Sequence, residues 1–416
     1  MNRGLSLNYH NVLRTIAPGG VSSPVRAFGP HPIFIGSGKG SKIKDVDGNE
    51  YVDLCMAYGP LILGHAHPSV VSAAERQIRR GTVFGAPSVP ELELISEINE
   101  RVPCAEMVRL TNSGTEAVMH AVRIARGFTG KKGIIKMRGG FHGSSDAVLS
   151  DNSQTSLRNG ITACAASDTY AAEYNSAEQI EAMIENNDIA AVLMEPVLGN
   201  AGVVPPEKNY LKKVRKLTEK EGVLLIFDEV ITGSRLAAGG AQELYDVRPD
   251  LCAMGKIMGG GFPAGAFAGR GDIMRCVSPE GPVVQTGTFS GNPMTAAAGL
   301  AALREMTPDR YRALDDMTKE LASAISDSLN DRNVAGSVNR VGSMFQVFFG
   351  TERVNNGTDA AGCDRERYTN LFRRMLDSGI YMPPAALETN FMSVAHDASD
   401  VRKICEEFDA NLRCVR

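Results

Sequence analysis

Between about residue 68 and residue 306, short apolar runs alternate with helical patterns, and this alternation constrains the fold more than any other feature of the chain. Strand patterns lie at 107–112, 133–137, 189–195 and 223–228, and helical patterns at 68–80, 112–126, near 176–186 and at 206–220. A strand, a helix and another strand make a crossover unit. Successive units give a mainly parallel sheet whose ligands bind beyond the carboxyl ends of the strands. Asn112, Glu195, Asp228 and Lys256 fall at such ends. After Pro308 a long helical pattern runs to about 330, followed by an alternating run from Gly342 to Phe349, short strand patterns at 379–382 and 391–395, and a final helix. The expected division is an N-terminal arm, 1–50, a large α/β domain, 51–306, and a small α+β C-terminal domain, 307–416. The polar stretch 150–170 reads as a surface loop able to act as a lid.

Bulk properties narrow the function classes. The formal charge is −4 over 416 residues, with a pI near 6.0 and charges interspersed, so a nucleic-acid stripe or membrane-surface patch is not expected. No apolar run approaches the ~20 residues that span a bilayer, and Met1 to Asn8 lacks a signal-peptide core; a cytoplasmic location is expected. The eight cysteines are scattered without a C-x-x-C pair, which suits reduced thiols. His65-Ala66-His67 has no nearby partner carboxylate in sequence, and no metal site is expected. Glycine, 43 of 416 residues, gathers in short clusters between apolar runs, as tight loops around a site require.

Two strand-end residues carry the chemistry. Asp228 closes the apolar run that starts at Gly222, and Lys256 sits between Leu251-Cys252-Ala253-Met254-Gly255 and Ile257-Met258-Gly259-Gly260-Gly261. A lysine among small and apolar residues has a lowered pKa and can form a Schiff base, while a nearby carboxylate can hold a pyridine nitrogen protonated. Those two needs describe a pyridoxal phosphate enzyme. Asn112-Ser113-Gly114-Thr115-Glu116, at the start of a helical stretch, suits a phosphate because first-turn amides are unpaired and lie at the positive end of the dipole. The same five residues also read as an ordinary capping box, Ser113 with Glu116 three residues on.

The chain resembles the class III pyridoxal phosphate aminotransferases across nearly its whole length. The matching runs include Gly64-His65-Ala66-His67-Pro68, Asn112 to Glu116, Asp228-Glu229-Val230-Ile231-Thr232-Gly233 and Gly255-Lys256-Ile257-Met258-Gly259-Gly260-Gly261. Gly19-Gly20-Val21-Ser22-Ser23-Pro24-Val25-Arg26 and Ser290-Gly291-Asn292-Pro293 select the aminomutase branch, with a class III ω- or β-amino acid transaminase as the alternative. The resemblance implies a type I pyridoxal phosphate-dependent transferase fold, a homodimer with shared active sites, and isomerisation of a small-molecule amino-aldehyde through pyridoxal 5′-phosphate and pyridoxamine 5′-phosphate.

By the same resemblance, Lys256 is the Schiff-base lysine and proton shuttle, and Asp228 pairs with the ring nitrogen. Ser113, Gly114 and Thr115 hold the phosphate, and Thr288 reaches it from the other subunit. Val230 packs on one ring face and His142 lies near the other. Arg26 binds the substrate carboxylate, and Tyr58, Asn200 and Glu388 line the substrate pocket. The chain departs from the family pattern at two aromatic positions. Phe141 stands where a tyrosine usually stacks on the cofactor, and Ala57-Tyr58-Gly59-Pro60 stands where a tryptophan-containing run is common.

Overall fold

The computed structural model describes residues 1–149 and 159–414. Two compact units account for them: Pro68–Tyr311 with Asn355–Ala361, and Met1–His67 with Arg312–Val354 and Gly362–Arg416.

The first unit is built on seven strands: β1 (Met107–Thr111), β2 (Gly133–Met137), β3 (Thr169–Ala172), β4 (Ile189–Met194), β5 (Leu224–Glu229), β6 (Leu251–Gly255) and β7 (Gly265–Gly269). Their order across the sheet is β1-β7-β6-β5-β4-β2-β3. Neighbours from β6 to β3 pair parallel, and β7 pairs antiparallel with both β1 and β6. Every residue of β2, β4, β5 and β6 is buried. A sheet covered on both faces demands this, and it explains why these strands read as continuous rather than alternating apolar runs. No strand pattern was legible at β7, because Gly265-Ala266-Phe267-Ala268-Gly269 contains no β-branched residue and looks like a loop.

The helix Gly114–Thr129 packs on this sheet through Ala117, Val118, Ala121, Val122, Ile124 and Ala125, at the spacing of one helical face. They share a core with Ile134, Leu193, Ile226, Ala253 and Phe267. The helical pattern at 206–220 forms only as Tyr210–Glu221, because Asn209 enters it with φ +66° after two prolines.

The second unit corrects the expected domain division. Residues 1–50 are not a separate arm and 51–67 do not join the large sheet. Instead Ile35–Lys39, Lys42–Asp45 and Glu50–Asp53 form a sheet whose fourth strand is Ile380–Tyr381. The bonds Val52 N–H to Gly379 O (3.0 Å) and Leu54 N–H to Tyr381 O (2.8 Å) tie the two ends of the chain together. Such long-range parallel pairing leaves no local trace in sequence. Gly336–Val341, Met344–Phe349 and Asn390–Phe391 make a three-stranded sheet, so the expected strand at 391–395 is much shorter. Residues 355–361 depart from the C-terminal part and belong with the large sheet, where Asn355 O accepts from Asn175 Nδ2 at 2.7 Å. Of the expected lid, 150–158 lie outside the described residues; the rest contains a short helix, Ala163–Ser167, and the start of β3. Among the described residues, no helix is long and apolar enough to cross a membrane.

Ile226 is fully buried in the middle of β5. Ile226→Ala is expected to cost about 2–5 kcal/mol and Ile226→Val about 0.5–1.5, read from denaturant midpoints. An unchanged midpoint in the alanine variant would show that this face of the sheet is not close-packed.

Candidate active site

β5 and β6 lie side by side and parallel, with Asp228 opposite Ala253 and Glu229 opposite Met254. Both chains therefore leave the sheet at the same edge, and Lys256 follows the last residue of β6 directly. Lys256 is half-buried, less than the sequence reading expected, and its φ is +51°. A residue with a Cβ pays roughly 1–2 kcal/mol to sit there, so the surrounding fold imposes this turn on the lysine.

Asp228 is 4% exposed. Its Oδ1 accepts the Val230 N–H at 3.0 Å, and its Oδ2 is 2.7 Å from His142 Nδ1. A buried carboxyl group needs donors in place of its water, and these two supply them. Its two oxygens keep acceptor capacity for one more N–H. His142, expected near a ring face, is the partner of this carboxylate, with its side chain wholly buried. Its Nε2 is buried with no hydrogen-bond partner. The neighbouring Phe141 is half exposed.

The turn 112–116 is a helix cap. Ser113 Oγ accepts the Glu116 N–H at 3.2 Å. The box is not reciprocal, because Glu116 Oε2 takes the backbone and side-chain amides of Asn112 at 3.0 and 3.2 Å. Capping does not exclude anion binding, since the amides of Gly114 and Thr115 lie in the first turn of the helix, where intrahelical acceptors are lacking. A Cβ added to Gly114 would lie 2.7 and 2.9 Å from the Val230 methyls, so only glycine lets Val230 cover this turn. Gly143, at φ +91°, brings the chain close enough for Ser144 N–H to reach Thr115 Oγ1 at 3.3 Å.

Asn200 joins the same group. Its Nδ2 donates to Glu195 Oε2 at 3.1 Å and to Phe141 O at 3.4 Å. Glu195 follows β4 and is 2% exposed; burial pushes its carboxyl upward against the pull of His142, and Asp228 adds to the rise. It was legible as a strand-end carboxylate, but nothing in the sequence reading gave it a role. Thr288 is exposed and makes no bond to Ser113, Gly114 or Thr115. Its loop is anchored through Arg109, which donates to Gln285 Oε1 (3.0 Å) and to Ser278 O (2.7 Å).

The structure thus gathers Ser113, Gly114, Thr115, His142, Asn200, Asp228, Val230 and Lys256 in the unit of the large sheet. Arg26, Tyr58 and Glu388 belong to the other unit. There Arg26, Tyr58, Asp53, His65 and Tyr381 are among the residues lining a cavity of about 460 Å³. The Tyr58 hydroxyl donates to Val25 O at 2.5 Å; burial pushes it well above the usual phenol range, and Cys55, Tyr381 and Glu388 add to that. Glu388 does not line the cavity. His65 Nε2 lies 2.7 Å from Asp53, and among the described residues no three His, Cys, Asp or Glu side chains form a metal-binding group.

The geometry suits a pyridoxal phosphate. It offers a half-buried lysine, a carboxylate with spare acceptor capacity, a helix-start amide turn that Val230 approaches closely over Gly114, and a buried imidazole nitrogen without a hydrogen-bond partner. The family model for class-III aminotransferases matches residues 25–406. A glutamate-1-semialdehyde 2,1-aminomutase of Methanoculleus marisnigri is 47% identical, over 97% of this chain and 98% of its own length. Among solved structures, an omega-transaminase from Sphaerobacter thermophilus superposes with a TM-score of 0.91 at 32% identity, covering 98% of this chain and 97% of that one. A glutamate-1-semialdehyde-aminomutase from Pseudomonas aeruginosa in complex with PMP also gives 0.91, at 25% identity, covering 100% and 95%. This chain belongs to the class-III aminotransferase family.

Proposed function

We propose that the chain is an isomerase that converts glutamate 1-semialdehyde to 5-aminolevulinate in tetrapyrrole biosynthesis, as a cytoplasmic homodimer using pyridoxal and pyridoxamine 5′-phosphate. The observation that carries the cofactor reading is the delivery of Asp228 and Lys256 to one edge by adjacent parallel strands. The choice of an aminomutase over a transaminase is supported by relatives of that name at 45–47% identity over at least 94% of the chain.

Bound here, the cofactor supplies an electron sink for the carbon bearing the amino group and, in its amine form, the amino group itself. The residues do the rest. The amides of Gly114 and Thr115, with the Ser113 and Thr115 hydroxyls, hold the phosphate, and Thr288 of a second subunit completes that grip. Asp228, oriented by His142, keeps the ring nitrogen protonated. Val230 and Phe141 offer apolar faces to the ring. Lys256 Nζ, on its imposed turn, carries the proton between the two substrate carbons. Arg26 grips the substrate carboxylate through its planar fork, Asn200 and Glu388 line the pocket around the amino groups, and Tyr58 is a further substrate-binding residue.

The reaction needs no external amino donor, because glutamate 1-semialdehyde and 5-aminolevulinate are isomers that carry one amino group each. Purified protein loaded with pyridoxamine phosphate is therefore expected to form 5-aminolevulinate without any added amine. Turnover that depends on an external donor or acceptor would make it a transaminase instead. Lys256→Ala should lose at least ~100-fold in kcat, the scale of a lost general acid–base, while equilibrium dialysis still finds pyridoxal phosphate bound. Retained turnover would remove Lys256 from the mechanism.

Arg26→Ala is expected to raise KM for glutamate 1-semialdehyde about tenfold or more, since a charge-assisted pair contributes ~1.5–3 kcal/mol. Arg26→Lys should recover only part, because a point charge cannot match a bidentate fork. Wild-type kinetics in both variants would show that another group holds the carboxylate.

A further inference from the structure

We infer that Glu195 is a positioning residue of this site, whose carboxylate clamps the turn 140–143 to the turn 199–200 and thereby sets how His142 meets Asp228 and where Asn200 lies. The inference rests on the proposed role of the Asp228 site.

Four N–H groups from two separate segments converge on this one side chain. Oε1 accepts from Phe141 N–H at 3.1 Å. Oε2 accepts from Gly199 N–H at 2.8 Å, Asn200 N–H at 3.3 Å and Asn200 Nδ2 at 3.1 Å. Asn200 Nδ2 also reaches Phe141 O at 3.4 Å, which closes the clamp from the other side. The packing is tight at both ends. A Cβ on Gly140 would fall 3.0 Å from His142 Nε2 and 3.6 Å from Glu195 Oε1, and one on Gly199 would fall 3.4 Å from Oε2.

A carboxyl group suits this arrangement, because each of its two oxygens can accept from one of the segments, whereas an amide must turn its own N–H₂ toward one set of donors. A buried carboxylate is expensive to keep, and a loop that needed only anchoring could use backbone carbonyls at no such cost. What distinguishes Glu195 is its neighbours. The residue after Phe141 is His142, whose Nδ1 meets Asp228, and Asn200 is a candidate pocket residue. The clamp therefore connects the groups that orient the ring-binding carboxylate to a group expected to meet substrate.

Glu195→Gln tests this, because it keeps the shape and size of the side chain. Losing one hydrogen bond to a charged group is worth about a tenfold change, so exchange of the Phe141 and Gly199 amides should quicken about tenfold or more, with the Ala191 and Leu193 amides of β4 unchanged. In protein labelled with ¹⁵N-histidine, the His142 Nδ1–H signal, visible when the ring is held on Asp228, should broaden or vanish. The Kd for pyridoxal phosphate should rise about tenfold by the same reasoning.

A variant that loses thermal stability but keeps the wild-type His142 signal and the wild-type Kd would overturn the inference, leaving Glu195 a loop anchor only. Should Glu195→Gln fail to fold, Glu195→Asp takes its place. Its side chain is one methylene shorter and can reach only one of the two turns. One segment should then stay protected while the other exchanges faster, with the His142 signal altered; full protection of both would equally overturn the inference. None of these readouts needs substrate. A wild-type protein unable to isomerise glutamate 1-semialdehyde would sink the proposed function while leaving the Glu195 result to be judged separately.

Discussion

Parallel pairing of β5 with β6 is the constraint on which the site depends. Parallel neighbours run in the same direction, so whatever follows each strand emerges at the same edge of the sheet, and here that edge receives Asp228 from one and Lys256 from the other. The carboxylate then has to survive out of water. It does so because Val230 N–H and His142 supply donors at 3.0 and 2.7 Å. Val230 in turn reaches the helix start at 114 only because Gly114 carries no Cβ. Strand register, charge and close packing are thus one connected arrangement.

Backbone strain marks the same places. Lys256 sits at φ +51°, and in the other unit Met56, Ala57 and Tyr58 are successive residues at +44°, +56° and +65°. Side chains with a Cβ hold such conformations only where the surrounding structure over-determines them. Tyr58, where the resemblance led a tryptophan to be expected, is thus a side chain held by an unusual backbone.

The fold does not choose the reaction. A TM-score of 0.91 is reached with both an omega-transaminase and a glutamate-1-semialdehyde-aminomutase, so the type I scaffold serves either chemistry. The distinction lies in residues that meet substrate, and the residue types at 26, 58, 200 and 388 are the ones to which the aminomutase reading assigns that contact.

By itself the sequence determined the large parallel sheet, the strand-end placement of Asp228 and Lys256, and the helix start at Ser113. Each of these depends on local pattern: a fully buried strand must be apolar throughout, and a helix cap needs its hydroxyl at a definite spacing. Tertiary structure decided what local pattern cannot carry. The pairing of Ile380–Tyr381 with Glu50–Asp53 joins residues more than three hundred positions apart, and β7 became a strand because its neighbours supply partners for its backbone. The same holds at the site. His142 belongs to Asp228, 86 positions away, and Glu195 binds Phe141, 54 positions away. A buried carboxylate takes whichever donors the folded chain brings within reach, and that proximity exists only once the strands have packed.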